Sequence, residues 1–99
     1  MGIQCTFELV KQTQQSAEKA EIDFVFLELT VGITTCKIAR SRRQLGLDVA
    51  EYVKHVELAL STADKCMTKF SNRYPEFDQM TALAERIKME LSDLRKLTV

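Results

Sequence analysis

The sequence predicts an all-α fold, a three- to four-helix antiparallel bundle. Only three glycines and one proline occur in 99 residues, which is too little turn material for an all-β sandwich or barrel. Apolar residues recur at three-to-four spacing over long stretches, and this is the periodicity of helices with one buried face. Because 99 residues suit one core, we expect residues 1–99 to form a single helical domain.

The middle helix, over residues 48–71, is the element with the clearest pattern. Asp48, with Glu51 three residues later, resembles a capping box at its start. Pro75 sets the latest point at which it ends, since proline disfavours helix in the residue before it. The predicted buried face is wide and comprises Val49, Tyr52, Val53, Val56, Ala59, Leu60, Ala63, Cys66, Met67 and Phe70.

A C-terminal helix is predicted over residues 76–97. It starts next to Pro75, which is tolerated in a first turn. Glu76 and Asp78 supply the early acidic residues that the helix dipole favours. Its predicted buried stripe comprises Phe77, Met80, Leu83, Ala84, Ile87, Leu91, Leu94 and Leu97.

The N-terminal half contains a strong helical pattern at 22–43 and a weaker one from Thr6 to Ala20. No glycine or proline lies between Ile3 and Val31, so one long helix and two shorter ones both remain open. A strand over residues 22–31 is a further alternative, because that segment is rich in β-forming residues. The chain offers such a strand no evident partner, and this favours the helix.

Residues 22–43 carry two apolar stripes. The first comprises Ile22, Val25, Phe26, Leu29, Ile33, Cys36 and Ala39, and the second comprises Phe24, Leu27, Val31 and Ile38. A helix that is apolar on two sides is expected to contact neighbours on both. Gly32 costs helix stability, which suggests that its missing side chain lets another backbone come close there.

The predicted arrangement places helices 22–43 and 48–71 as an antiparallel hairpin, joined by the short link at 44–47. Helix 76–97 is the third member, and the first helix covers the remaining side. A core this small yields little net stability, so self-association is expected, with leftover apolar surface buried in a two-fold interface.

Charge and cysteine content exclude several function classes. Fourteen basic and fourteen acidic residues balance, with a pI near 6.6, so neither nucleic-acid nor membrane binding is expected. Three cysteines without C-x-x-C spacing predict a reduced, cytoplasmic protein. The start from Met1 to Thr6 fits the myristoylation pattern, but the basic cluster that usually supports a single acyl chain is missing.

No catalytic motif is present, and we predict a protein that is not an enzyme, with no catalytic residue, cofactor or metal. His55 is the only histidine, which excludes a multi-histidine metal site within one chain. The alternative is a small-ligand or metal-binding bundle, built around Cys36, Cys66, His55 and the methionines.

Two local clusters are candidate contact sites. The first is basic, lies at the end of helix 22–43, and comprises Lys37, Arg40, Arg42 and Arg43. These cations complement the helix C-terminus, or they contact a partner, an anion or a nucleic acid. The second is aromatic and comprises Phe70, Tyr74 and Phe77. These rings lock a helix–helix corner, or they form an exposed patch for a partner.

Part of the chain resembles the helical hairpin of small uncharacterised bacterial proteins with a tetratricopeptide-like arrangement. The resemblance is carried by Phe26-Leu27, Thr34-Thr35, Ile38-Ala39-Arg40-Ser41, Arg43, a short turn, Val56, Ala59-Leu60 and residues 63–70. The Trp-Leu-Gly-Tyr signature is missing, the first hairpin helix is longer than in that repeat, and one unit fits where repeat modules need about three.

The resemblance implies a helical architecture and a role in binding a protein or peptide, and it transfers no catalytic residue. We therefore expect a non-enzymatic protein–protein interaction or scaffold module, with a homodimer as one form of that role.

Overall fold

A computed structural model describes residues 2–71 and 74–96, with side chains described from residue 14 onward. The chain forms α1 (Gly2–Gln44), α2 (Ala50–Lys69) and α3 (Glu76–Lys96), and no strand occurs among the described residues. The all-α prediction is confirmed as a three-helix bundle. The alternative of a strand over residues 22–31 is wrong, because that segment lies inside α1.

The first helix is continuous over 43 residues. At 1.5 Å per residue this is about 65 Å, which accounts for the 69 Å longest dimension of the molecule. No glycine or proline interrupts it between Ile3 and Val31. The prediction that a separate first helix covers the remaining side of the bundle is therefore wrong, because that segment extends α1 and does not fold back.

The core forms along one face of α1, against which both α2 and α3 pack more extensively than they pack against each other. The first apolar stripe of residues 22–43 supplies this face, as predicted, although Phe26 is only partly buried. Buried core residues are Ile22, Val25, Leu29, Ile33, Cys36, Ala39, Val49, Val56, Ala59, Ala63, Cys66, Phe70, Phe77, Met80, Ala84, Ile87, Leu91 and Leu94. The predicted Leu97 lies outside the described residues.

Gly32 is buried on the core face of α1. A Cβ atom at this position would lie 3.3 Å from Cδ1 of Ile87 in α3. The expectation that another backbone comes close at Gly32 is therefore wrong, because the nearest neighbour is the end of a side chain of α3.

The link between α1 and α2 turns through Gly46, whose φ of 78° lies in the left-handed region that glycine adopts without strain. The start of α2 differs from the predicted capping box. Val49 is the residue before the helix and makes no side-chain cap, while Oδ1 of Asp48 accepts a hydrogen bond of 3.2 Å from the backbone N–H of Ala50. Burial of the Val49 side chain in the core accounts for its place at the helix start.

Candidate interaction surface

The second apolar stripe of α1 is exposed to solvent. We refer to Phe24, Leu27, Val31 and Ile38 as the α1 stripe; their side chains are 60%, 59%, 45% and 46% exposed. The expectation that both apolar stripes contact neighbours is therefore wrong within a single chain. The element expected to cover the second stripe is the N-terminal part of the same helix, so it cannot pack there.

A shallow groove runs between α1 and α2 beside the stripe. Leu27 and Val31 form its α1 wall, and Leu58, which is 65% exposed, forms part of its α2 wall. We refer to it as the α1–α2 groove; it is lined by Leu27, Glu28, Val31, His55, Leu58, Ala59 and Thr62. The groove opens to solvent and its lining is mostly aliphatic, which suits the side of another helix.

Threonine hydroxyls beside this surface are satisfied within their own helices. Thr30 and Thr35 donate to the carbonyl oxygens of Phe26 and Val31, at 3.0 and 2.9 Å. Thr62 donates in the same way to the carbonyl oxygen of Leu58, at 2.9 Å. A partner that covers this surface would therefore remove water from these hydroxyls, and each hydroxyl would keep its hydrogen bond to a backbone carbonyl.

The cysteines and the histidine do not come together. Cys36 and Cys66 are free and buried. The charge of the nearby Glu90 influences the pKa of the Cys36 thiol, whereas the charges of Glu21 and Lys69 influence the pKa of the Cys66 thiol. The two thiols therefore lie near opposite ends of the bundle, while His55 is exposed on α2.

Burial raises the pKa of both thiols, and the neighbouring carboxylates add to the rise. Two thiols held in the neutral form are poor nucleophiles and poor metal ligands. Among the residues that the structure describes, no group of three or more His, Cys, Asp and Glu side chains could hold a metal ion. The side chain of Cys5 lies outside those residues.

The basic cluster is divided among several contacts. Arg40 of α1 lies 3.9 Å from Glu90 and 3.7 Å from Asp93, both in α3. The guanidinium of Arg42 stacks over the ring of Tyr52 in α2, 5.2 Å from its centroid. The remaining two members are Lys37, which is exposed, and Arg43, which is half-buried. The cluster thus braces α1 against both neighbours while Lys37 faces solvent beside the stripe.

The aromatic cluster forms the corner between α2 and α3. Phe70 and Phe77 are buried, and each packs edge-to-face against Tyr74, with centroids 5.9 and 5.7 Å apart. The Tyr74 hydroxyl donates to a carboxylate oxygen of Glu18 in α1. The two buried rings are thus part of the core, as expected for a locked corner, and do not form an exposed patch.

Ion pairs fix α1 to the same corner. Lys19 pairs with Glu76 at the start of α3, and Lys69 at the end of α2 lies 3.2 Å from Glu21. The hydrogen bond from Lys19 lowers the pKa of Glu76, and the same bond raises the pKa of Lys19. The part of α1 before these residues continues past the corner, and Gln14 to Ala17 are exposed.

Sequence reasoning missed two residues of this surface. Leu58 lies off the predicted apolar face of α2. Its presence there, as a large apolar residue outside the predicted face, was the sequence signal that could have identified it. Leu45, 76% exposed, follows Phe24, Val31 and Ile38 at seven-residue intervals, a recurrence that the sequence already contains.

No protein-family model, curated protein or solved structure matches this chain. Among the described residues, no helix is both long enough and apolar enough to cross a bilayer. The exposed α1 stripe and the groove beside it are therefore the observations on which a functional proposal must rest.

Proposed function

We propose that the protein is a non-enzymatic protein–protein interaction module, and that the α1 stripe and the α1–α2 groove receive a partner helix. The observation that carries the proposal is the exposure of four large apolar side chains along one line of α1. Contiguous apolar surface of this kind marks interaction sites more often than scattered exposed residues do. The tetratricopeptide-like resemblance of the hairpin points to the same kind of role.

The apolar gain from the α1 stripe is of the same size as the cost of association, so further contacts along the groove must add to the affinity. Fully burying a large apolar side chain contributes about 1.5–3 kcal/mol. The stripe residues are already about half covered, so each contributes roughly 1 kcal/mol when a partner covers the rest. A partner helix with its own apolar stripe about doubles the gain, which is then comparable to the roughly 4–15 kcal/mol cost of association.

Several features argue against the alternative of a metal- or ligand-binding bundle. That function needs Cys36, Cys66, His55 and the methionines to converge on a cavity. Instead, the thiols are buried near opposite ends of the core, whereas His55 and Met89 lie on the surface. The α1–α2 groove brings only Glu28 and His55 of the ligand-type side chains beside its aliphatic lining, and the described residues contain no group of three or more such side chains that could hold a metal ion.

Site-specific photo-crosslinking in cells tests the docking surface. A photoreactive benzophenone amino acid replaces Leu27 in the stripe in one variant, and Met89 on α3 in a matched control. Both positions are exposed and apolar. We expect a covalent protein adduct from position 27 and none from position 89.

A further variant, which carries Val31→Asp together with the photoreactive group at position 27, shows whether the adduct depends on the apolar surface. We expect the adduct to be lost in that chain. Equal yields from positions 27 and 89, or a yield that Val31→Asp does not alter, would contradict the proposal.

A further inference from the structure

We propose that the partner on the α1 stripe is a second copy of this chain, docked antiparallel along α1 about a two-fold axis. This inference rests on the proposed function and names the occupant of its surface. It depends on two features of α1, namely the seven-residue recurrence of the stripe and the opposite charges that flank its two ends.

The recurrence is that of a helix that packs along another helix. Phe24, Val31 and Ile38 recur every seven residues within α1, Leu45 continues the spacing just past its end, and Leu27 lies at the position that completes a heptad. A seven-residue apolar repeat keeps one line of side chains facing a neighbouring helix along its whole length. The partner therefore matches if it presents the same repeat, and a second copy does so.

Charges flank the stripe with opposite signs at its two ends. Asp23 and Glu28 lie on either side of it in the N-terminal half, and Lys37 and Arg42 lie on either side in the C-terminal half. Asp23 and Lys37 are exposed, and Glu28 and Arg42 are half-buried. The surface is thus acidic at one end and basic at the other.

This polarity selects the direction of the second copy. In a parallel pair with aligned registers, Asp23 would face Glu28 of the other copy and Lys37 would face Arg42, so both flanking pairs would repel. In an antiparallel pair, the acidic end of each copy lies against the basic end of the other. An isologous two-fold contact then contains every favourable pair twice.

One register satisfies both the apolar and the charged positions. With the axis between Val31 and Thr34, Leu27 packs on Ile38 of the second copy, and Val31 packs on its Thr34. The same register brings Asp23 near Lys37 of the second copy and Glu28 near its Arg42. In this register none of these four charges has a like charge opposite it.

Sedimentation equilibrium of the purified full chain over a wide concentration range tests whether the partner on the α1 stripe is a second copy of the chain. We expect a reversible monomer–dimer equilibrium. Leu27→Asp should weaken dimerisation at least tenfold, because it places a charge against an apolar side chain. Met89→Asp, at an apolar position on α3 that is slightly more exposed than Leu27, should leave the dissociation constant within about twofold of wild type.

A substitution that should strengthen the dimer, and not weaken it, replaces the polar residue within the stripe. Thr34 is exposed between Val31 and Ile38, so Thr34→Leu should tighten the dimer by about three- to tenfold through added apolar burial. Circular dichroism of each variant, recorded at a concentration where the chain is monomeric, checks that the helices are retained.

Charge substitution tests the direction. In the antiparallel dimer, Lys37→Glu sets a carboxylate against Asp23 and weakens association, and adding Asp23→Lys to the same chain restores it. In a parallel dimer, Lys37→Glu alone would face Arg42 and tighten association. Tighter binding by Lys37→Glu would therefore overturn the antiparallel arrangement.

Disulfide trapping gives an independent measure of direction, in a Cys5→Ser background. Phe24→Cys chains mixed with Ser41→Cys chains should form a disulfide-linked dimer under mild oxidation, because the register places these positions opposite each other. Ser41→Cys chains alone should not, because the two cysteines lie about 25 Å apart along the axis. Efficient trapping of Ser41→Cys alone would indicate a parallel pair and contradict the proposal.

The outcomes separate this inference from the function on which it rests. A chain that stays monomeric at every concentration, while position 27 captures a different protein in cells, would overturn self-association and leave the interaction module standing. A monomer that also gives no adduct from position 27 would overturn both. An adduct of twice the chain mass, together with the Lys37→Glu result expected above, supports both.

Discussion

The two apolar faces of α1 carry side chains of the same kinds but differ in what covers them. Leu29 is fully buried in the core, whereas Leu27, two residues earlier on the same helix, is 59% exposed. Helical periodicity identifies both faces as apolar. It therefore shows that a face is suited to a neighbour, but not whether that neighbour belongs to the same chain.

The largest expected effect comes from truncating a matched leucine on each face. Leu29→Ala should lower the free energy of unfolding by about 2–5 kcal/mol, because it leaves a cavity in the core. Leu27→Ala should change it by less than about 0.5 kcal/mol at a concentration where the chain is monomeric. Urea unfolding followed by circular dichroism measures both; similar losses in the two variants would mean that the faces are not distinct.

A second pair of substitutions adds a hydroxyl to each face. Cys36→Ser puts a hydroxyl in the core and should cost about 1–3 kcal/mol. Val31→Thr puts one on the stripe and should cost under about 0.5 kcal/mol in the monomer. Thermal unfolding at low protein concentration compares them. A Cys36→Ser variant as stable as Val31→Thr would show that residue 36 is not sealed in the core.

Two glycines, one on the core face of α1 and one in the exposed link to α2, extend the comparison. Gly32→Ala gains about 1 kcal/mol of helix propensity but brings a Cβ atom to 3.3 Å from the flexible end of Ile87. We expect these effects nearly to cancel, with a net change below about 1 kcal/mol. Gly46→Ala has open space around it, yet its φ of 78° should cost about 1–2 kcal/mol. Chemical unfolding of both variants should thus show the larger loss at Gly46.

The smallest expected effect concerns the ion pairs at the corner, outside both faces. The hydrogen bond from Lys19 lowers the pKa of Glu76 from its usual 4.5. The stabilisation is therefore present above pH 4.5 and is lost as the pH falls through the lowered value. Wild type should exceed Glu76→Gln slightly in stability at pH 7, and the difference should vanish at low pH. A difference that stays constant with pH would contradict this assignment.

The sequence could predict the core because burial on one helix face leaves a direct periodic signal. The buried residues of α3, from Phe77 to Leu94, were all predicted, and so were those of α2 from Val56 to Cys66. Each helix needed only its own spacing for that prediction. The hairpin of α1 and α2 followed from the short link between two such patterns.

The surface could be predicted only in part, because exposure depends on where other segments lie. The stripe was recognised as apolar, but its exposure depended on whether a bend between residues 20 and 22 returned the first helix to cover it. Local propensity could not decide that, since both one helix and two fit a segment without glycine or proline. The contacts of Arg40 with α3 and of Arg42 with Tyr52 likewise depend on helix packing, which spacing along one helix does not specify.

The continuous α1 has a consequence for synthesis of the chain. This helix leaves the ribosome before α2 and α3, the segments that bury its core face. Because α2 and α3 pack mainly against α1, the native core cannot close until residues as late as Leu94 have cleared the exit tunnel. Until then both apolar faces of α1 are open to water, so the nascent chain is a good substrate for chaperones that bind exposed apolar segments.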